Sequence, residues 1–152
     1  MKNFQYFAVL TLFTMLSCAQ AADGLISIKS PYSAQTTLDK FEAIVQDKGL
    51  EVFSRIDHAA GAAQVGKQLR PTEVLIFGNP QGGTPLMECA QTMGIDLPLK
   101  ALVWEDATGQ VWLAYNDPVY LANRHQVGDC SAARNIQKAL TEFVAATVGF
   151  DF

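Results

Sequence analysis

From Leu25 onward the apolar positions fall into short blocks whose spacing switches between a strand period and a helix period. Leu25-Ile26-Ser27-Ile28-Lys29 is short, rich in β-branched residues and closed by Ser30-Pro31, which predicts a first strand. Ser33 then offers a helix N-cap, and Leu38, Phe41, Ile44 and Val45 recur at three and four residues. That is one apolar helical stripe, and Gly49 is a natural stop for it. Glu51 to Asp57 alternates with period two. Val52, Ser54 and Ile56 share one face, Phe53, Arg55 and Asp57 the other, and a strand running on would add His58 to the first face.

The small-residue tract Ala59-Ala60-Gly61-Ala62-Ala63 predicts a tightly packed short helix or a loop close to another backbone. Val74-Leu75-Ile76-Phe77 is a continuous apolar run, suited to a buried central strand, and Gly78-Asn79-Pro80 breaks it. Thr84-Pro85 has the form of an N-cap and first helical position. The helix it opens carries Leu86, Met87, Cys89 and Ala90 and ends at Gly94. Leu99 to Glu105 and Gln110 to Tyr115 are two strands joined through Asp106-Ala107-Thr108-Gly109 as a hairpin, with Trp104 and Trp112 on facing strands. Asp117-Pro118 caps a short helix, and Ser131 opens a last one with Ile136, Leu140, Phe143, Val144 and Val148 along one side. Helices and strands do not alternate strictly and a hairpin is present. The expected fold is therefore α+β, with a mostly antiparallel sheet, helices packed on one face and short extra helices.

The first 21 residues read differently. Lys2 is the only charge before Asp23, an apolar run spans Phe7 to Leu16, and Ser17-Cys18-Ala19-Gln20-Ala21 follows. This is the basic, apolar, small-residue order of a secretory signal, with a cut expected after Ala21. The run is about half of the roughly twenty residues that a helix needs to cross a bilayer. Met15-Leu16-Ser17-Cys18 loosely resembles a lipoprotein cleavage box, a second route that would leave Cys18 lipidated. Either route places residues 22–152 outside the cytoplasm, in the periplasm or secreted, as one domain without a membrane span. Without Lys2 the chain has 10 basic and 15 acidic residues, a net charge of 10 − 15 = −5. A mildly acidic domain with no basic cluster argues against nucleic acid and against electrostatic binding to anionic lipid.

Cys89 and Cys130 remain after cleavage, and in an oxidising compartment two cysteines can pair. The bond would close a loop of roughly forty residues, worth on the order of 4 kcal/mol in the chain-entropy model.

Several segments, taken in order, resemble one family. They are Ile56-Asp57-His58-Ala59-Ala60-Gly61-Ala62-Ala63, Leu69 through Pro80, Gly83-Thr84-Pro85-Leu86-Met87, Asp96 through Glu105, and Tyr115-Asn116-Asp117-Pro118. The resemblance is to the domain of unknown function 302 family and covers nearly all of the chain after the leader. It implies a small domain with a β-α-β-β-β-β-α type core, often paired as a homodimer. It implies no reaction or ligand, so no catalytic residue is carried over, and Cys89 and Cys130 stand outside the family pattern.

Candidate chemistry is sparse. Gly82-Gly83-Thr84 stand where a strand, a glycine-rich turn and a helix start meet, a place that can bind an anion. No lysine follows the glycines as a P-loop requires, and Pro85 removes one N–H. His58, beside Asp57 and before tiny side chains, is either a base or metal ligand or a ring that pins its loop. His125 lies near a helix end, and a site joining it to His58 lacks any tight ligand spacing. Glu105 shares parity with Leu99, Ala101 and Val103 and would be a perturbed carboxylate if that face is buried. Trp104, Trp112, Tyr115 and Tyr120 suit a core, a dimer face or an apolar cleft. No catalytic set, resident metal or cofactor is predicted. The leading expectation is a small exported binding or accessory domain of the bacterial cell envelope. The alternative is a periplasmic metal or redox protein, or an enzyme, using His58 with a Cys89–Cys130 disulfide.

Overall fold

A computed structural model describes residues 23–149. The expected leader, its cleavage site and Cys18 lie outside the described residues. In chain order the elements are β1 (Leu25–Ser30), α1 (Ala34–Asp47), β2 (Glu51–Asp57), α2 (His58–Gln64), β3 (Thr72–Gly78) and α3 (Pro80–Cys89). A 3₁₀ turn (Gln91–Ile95), β4 (Leu99–Glu105), β5 (Val111–Asn116), α4 (Pro118–Arg124) and α5 (Ser131–Val148) complete the order. The strands form one open sheet in the order β1-β5-β4-β3-β2, with every neighbouring pair antiparallel. The fold is α+β, and its long elements follow the β-α-β-β-β-β-α core.

β1 and β2 are consecutive strands at opposite edges of the sheet, so α1 must cross it to join them. The Ser33 hydroxyl accepts from the Thr36 N–H at 3.2 Å and caps this helix. Gly49 ends it at φ +76°, a conformation that costs a glycine little, and the Leu50 N–H turns back to the Val45 carbonyl at 3.0 Å. Leu38, Phe41 and Val45, on the predicted stripe, are fully buried. Phe41 meets Phe77 edge to face at 5.4 Å between ring centroids. α5 brings Leu140, Phe143 and Val144 to the same core. The sheet answers with Leu75 and Phe77 from β3, Ala101 and Val103 from β4, and Leu113 and Tyr115 from β5. Each large side chain so buried contributes roughly 1.5–3 kcal/mol, which works against the backbone entropy lost on ordering, about 1–2 kcal/mol per residue.

The opposite face carries Ile56, Val74, Ile76, Leu102, Trp104 and Trp112, and most of these are half-buried. The β3 run is therefore not buried on both faces: β3 is an interior strand with β4 at the sheet's centre, and only Leu75 and Phe77 reach the main core. Trp104 lies opposite Trp112 in the register, and their rings stack at 6.1 Å with planes 14° apart.

The strict alternation expected for β2 fails at one residue. The register slips between Val52 and Ser54, which makes Phe53 the extra residue of a bulge. Val52 consequently faces the helices together with Arg55 and Asp57, while Ser54 and Ile56 face away. Arg55 there binds the Glu73 carboxylate of β3 and reaches Asp39 (2.6 Å) and Glu42 (3.1 Å) on α1. Its guanidinium holds the Asp39 carboxyl below its ordinary pKa, mainly by direct hydrogen bonding.

Candidate functional site

A cleft of about 590 Å³ opens at the end of the sheet where β2 and β4 begin and β3 ends. One wall is the first half of α3, from Pro80 through Thr84 and on to Met87. The other is the α5 face carrying Ile136, Ala139, Leu140 and Phe143. Leu50, Phe53 and Leu99 form the floor from the sheet, and Leu97-Pro98 closes one side. The bulge is what brings Phe53 here, since regular pairing would have set it in the ladder. Among the described residues no Asp, Glu, Lys, Arg or His lines the cleft, and the polar side chains there are those of Asn79, Gln81 and Thr84.

α3 begins earlier than Thr84-Pro85 suggested. Asn79 is its N-cap, Pro80 is its first residue, and Pro85 lies inside the helix. The Asn79 side chain accepts from the Gly82 N–H (2.8 Å), the Asn79 carbonyl accepts from the Gly83 N–H (3.0 Å), and the Asn79 amide donates to the Gly49 carbonyl (3.3 Å). Pro80 at N1 was a usable signal, but Thr84-Pro85 carried the same cap-and-proline form and masked it. Gly82 and Gly83 are thus first-turn residues whose amides are already engaged by Asn79, which takes away two of the donors an anion would use. With Thr84 they are wall residues of an apolar cleft. The helix itself is weak. Two glycines and an internal proline each oppose helix formation, by about 1 and about 3 kcal/mol respectively relative to alanine.

His58 and Glu105 stand at the other end of the strands. β2 ends at Asp57, which caps α2 by accepting from the Ala60 N–H (2.8 Å), so His58 opens a helix and is exposed instead of extending a strand face. Asp57 serves the cap and not the imidazole. The alanine tract is the α2 helix, and it buries none of its residues. Glu105 pairs with Val111 on the helix-facing side, half-buried at the strand end. Its main chain is tied to Pro71 and Arg70.

The predicted aromatic set is dispersed. Tyr115 is in the core, Tyr120 is 43 % exposed, and Trp104 and Trp112 stack on the face away from α1 and α5. The aromatics at the cleft are Phe53 and Phe143.

Cys89 and Cys130 form a disulfide with Cα atoms 6.0 Å apart. It joins the last residue of α3 to the N-cap of α5, so it links the two cleft walls beyond their far end. Around it Leu86, Met93, Leu121, Ala122 and Ala133 make a second, smaller core, and Ile136 packs on both this core and the main one. His125 ends α4 and does more than face the helix dipole. Its Nε2 donates to Asp96 (2.7 Å), and its Nδ1 lies 2.9 Å from the Thr92 hydroxyl. Asp96 also accepts from Arg124 (2.8 Å). Among the described residues no group of three or more His, Cys, Asp and Glu side chains is placed to hold a metal ion. The bonded cysteines are removed from any site with His58 and His125.

A family model described as Domain of unknown function DUF302 matches residues 26–145. Over 105 residues, 69 % of this chain, it is 50 % identical to a protein named fluoride-specific ion channel FluC 1 of Brucella suis biovar 1 (strain 1330). It is equally similar to one named FluC 2 of Brucella melitensis biotype 1 (strain ATCC 23456 / CCUG 17765 / NCTC 10094 / 16M). The match covers only 41 % and 39 % of those proteins, so the chain spans about two-fifths of the relatives it matches. The crystal structure of an uncharacterized conserved protein DUF302 from Bacillus stearothermophilus superposes with a TM-score of 0.76 at 18 % identity, covering 83 % of this chain and 99 % of that one. At that identity the likeness is one of fold.

Proposed function

The chain belongs to the family named Domain of unknown function DUF302, and from that premise we propose that it is a non-catalytic binding domain exported to the bacterial cell envelope, whose cleft between α3 and α5 holds a neutral, apolar small molecule. One observation carries the reading: a cleft of about 590 Å³ has apolar side chains on both walls and the floor and, among the described residues, no ionisable group. Such a volume suits a small organic ligand, and the apolar lining supplies the affinity while a few rim amides orient it. A charged ligand would lose its hydration there without gaining a partner.

The Brucella relatives fit an accessory role. They are longer proteins named as ion channels, and among the described residues here no helix is long and apolar enough to cross a membrane. Fluoride itself is a poor occupant of the cleft, because the Gly82 and Gly83 amides already serve Asn79 and, among the described residues, no cationic side chain lines it.

Uptake of N-phenyl-1-naphthylamine, a neutral apolar dye that brightens when desolvated, tests the reading. The protein should bind it, and Ala139→Phe, which fills the cleft from α5, should weaken binding about tenfold. No uptake by the unaltered protein, or equal uptake by the variant, removes the proposal. Export is tested separately by intact mass: a mature chain beginning at Ala22 is expected, and one retaining Phe7–Leu16 overturns that part. The homodimer expected from the family resemblance would use the sheet face that bears Trp104 and Trp112. Light scattering showing only monomer at high concentration would remove it.

A further inference from the structure

We infer that the Cys89–Cys130 disulfide is a redox lock on the cleft: its reduction by an external thiol frees α3 and releases what the cleft holds. The inference rests on the cleft being the ligand site.

The lock follows from how α3 is held. Gly82, Gly83 and Pro85 give this helix little intrinsic stability, so its place depends on tertiary ties. At its start there is Asn79, bonded to Gly49. Along its length α3 buries a single side chain, Leu86. At its end there is the covalent bond to Cys130. The fixed wall is different. α5 is 18 residues long and packs Leu140, Phe143 and Val144 into the main core. Cutting the bond therefore loosens one wall and leaves the other in place.

The two cysteine residues are unequal in a way that suits exchange. Cys89 is exposed, whereas Cys130 is 5 % exposed. An incoming thiolate reaches the Cys89 sulfur and forms a mixed disulfide with it. The Cys89–Cys130 bond breaks, and Cys130 leaves with the electron pair as a thiolate. Cys130 is the N-cap of α5, where the helix dipole favours that negative charge. A second thiolate then attacks the external sulfur of the mixed disulfide and releases Cys89 as a thiolate. Two electrons pass from the dithiol reductant, which leaves oxidised, and the two cysteines take up protons according to pH. The stacked pair Trp104 and Trp112 lies on the far face of the sheet and reports independently on whether the sheet survives.

The experiment compares oxidised protein with protein fully reduced by a phosphine, thiols counted in each. Hydrogen–deuterium exchange is read without any dye, and N-phenyl-1-naphthylamine binding is read in parallel. On reduction, amides of residues 82–89 should exchange at least tenfold faster while those of β4 and β5 stay protected. Dye affinity should fall at least tenfold with the near-ultraviolet tryptophan signal retained. Unchanged exchange in α3 overturns the lock whatever the dye does. Loss of the tryptophan signal also overturns it, because the bond would then hold the whole fold. Failure of the oxidised protein to bind dye removes the ligand reading alone, and equal dye affinity in both states removes the lock alone. Cys89→Ser paired with Cys130→Ser should reproduce the reduced state without reductant.

Discussion

Asp96 and His125, 29 residues apart in the chain, face each other at 2.7 Å, the imidazole Nε2 donating to the carboxylate. The contact is largely shielded, with side-chain exposures of 14 % and 9 %. It ties the segment after α3 to the end of α4. Thr92 on the other ring nitrogen and Arg124 on the other carboxylate oxygen complete the group.

Removing either partner leaves a polar group that has lost its mate in a half-closed setting. His125→Ala and Asp96→Ala should each lower stability by about 1–3 kcal/mol. Because both act through one contact, the double variant should cost clearly less than the sum of the two. Urea unfolding of the four proteins checks this, and simple additivity would show that the contact contributes nothing.

Asp106 organises the hairpin loop. Its carboxylate accepts from the Thr108 hydroxyl (2.6 Å), the Trp112 indole (2.8 Å), and the N–H groups of Thr108 (2.8 Å) and Gln110 (3.1 Å). These donors, the Thr108 hydroxyl and the Trp112 indole foremost, hold its pKa well below the ordinary range. A folded pKa below the unfolded value of about 3.9 stabilises the protein above that pH, and the gain drains away as pH falls through the folded value. Asp106→Asn should be less stable at neutral pH and should lose less on acidification from about pH 5 to pH 2. Melting temperature against pH measures both, and an acid limb as steep as the parent's would refute the assignment.

Tyr115 works in the opposite direction. Burial pushes its phenol pKa up, against the lesser effect of its 3.2 Å hydrogen bond with Thr141. A raised folded pKa gives stability that is complete below the unfolded value of about 10 and is lost as pH climbs through the folded one. Tyr115→Phe should cost only about 0.5–1.5 kcal/mol at neutral pH, the worth of one hydrogen bond, and should flatten the alkaline limb of the stability curve. Denaturation at rising pH, with phenol ionisation followed by absorbance, is the check.

The disulfide closes a span of 41 residues. Replacing both cysteines by serine should lower unfolding free energy by up to about 4 kcal/mol through the freed denatured chain. The main core contains neither sulfur, so a cooperative transition should remain. Urea titration measures the loss, and a variant without any cooperative transition would contradict this division between the cores.

Local pattern determined most of the fold. The α1 and α5 stripes, β1, β4 and the hairpin were legible because each is set by neighbours within a few residues: a cap, a period, a stop. The α+β class followed from them, whereas the β-α-β-β-β-β-α core was what the family resemblance implied. Where two local signals competed, local reading failed. Asn79-Pro80 and Thr84-Pro85 both carry the form of a helix start, and in the folded chain the first is used, with Asn79 capping Gly82 and holding the distant Gly49 carbonyl. One extra residue at Phe53 reversed the facing of Val52, an outcome set by pairing with β3 that β2 alone does not encode.

Tertiary structure also decided the site. Gly82, Gly83 and Thr84 stood out as an anion cradle, but the folded chain spends the Gly82 and Gly83 amides on Asn79 and sets all three residues against α5 as part of an apolar wall. His58 and Glu105 stood out by residue type, and the register carried them to the far end of the sheet. The Asp96–His125 contact and the cleft join segments that are distant in sequence. Side-chain chemistry is written residue by residue, whereas a concave surface exists only once separate elements have been brought to one place.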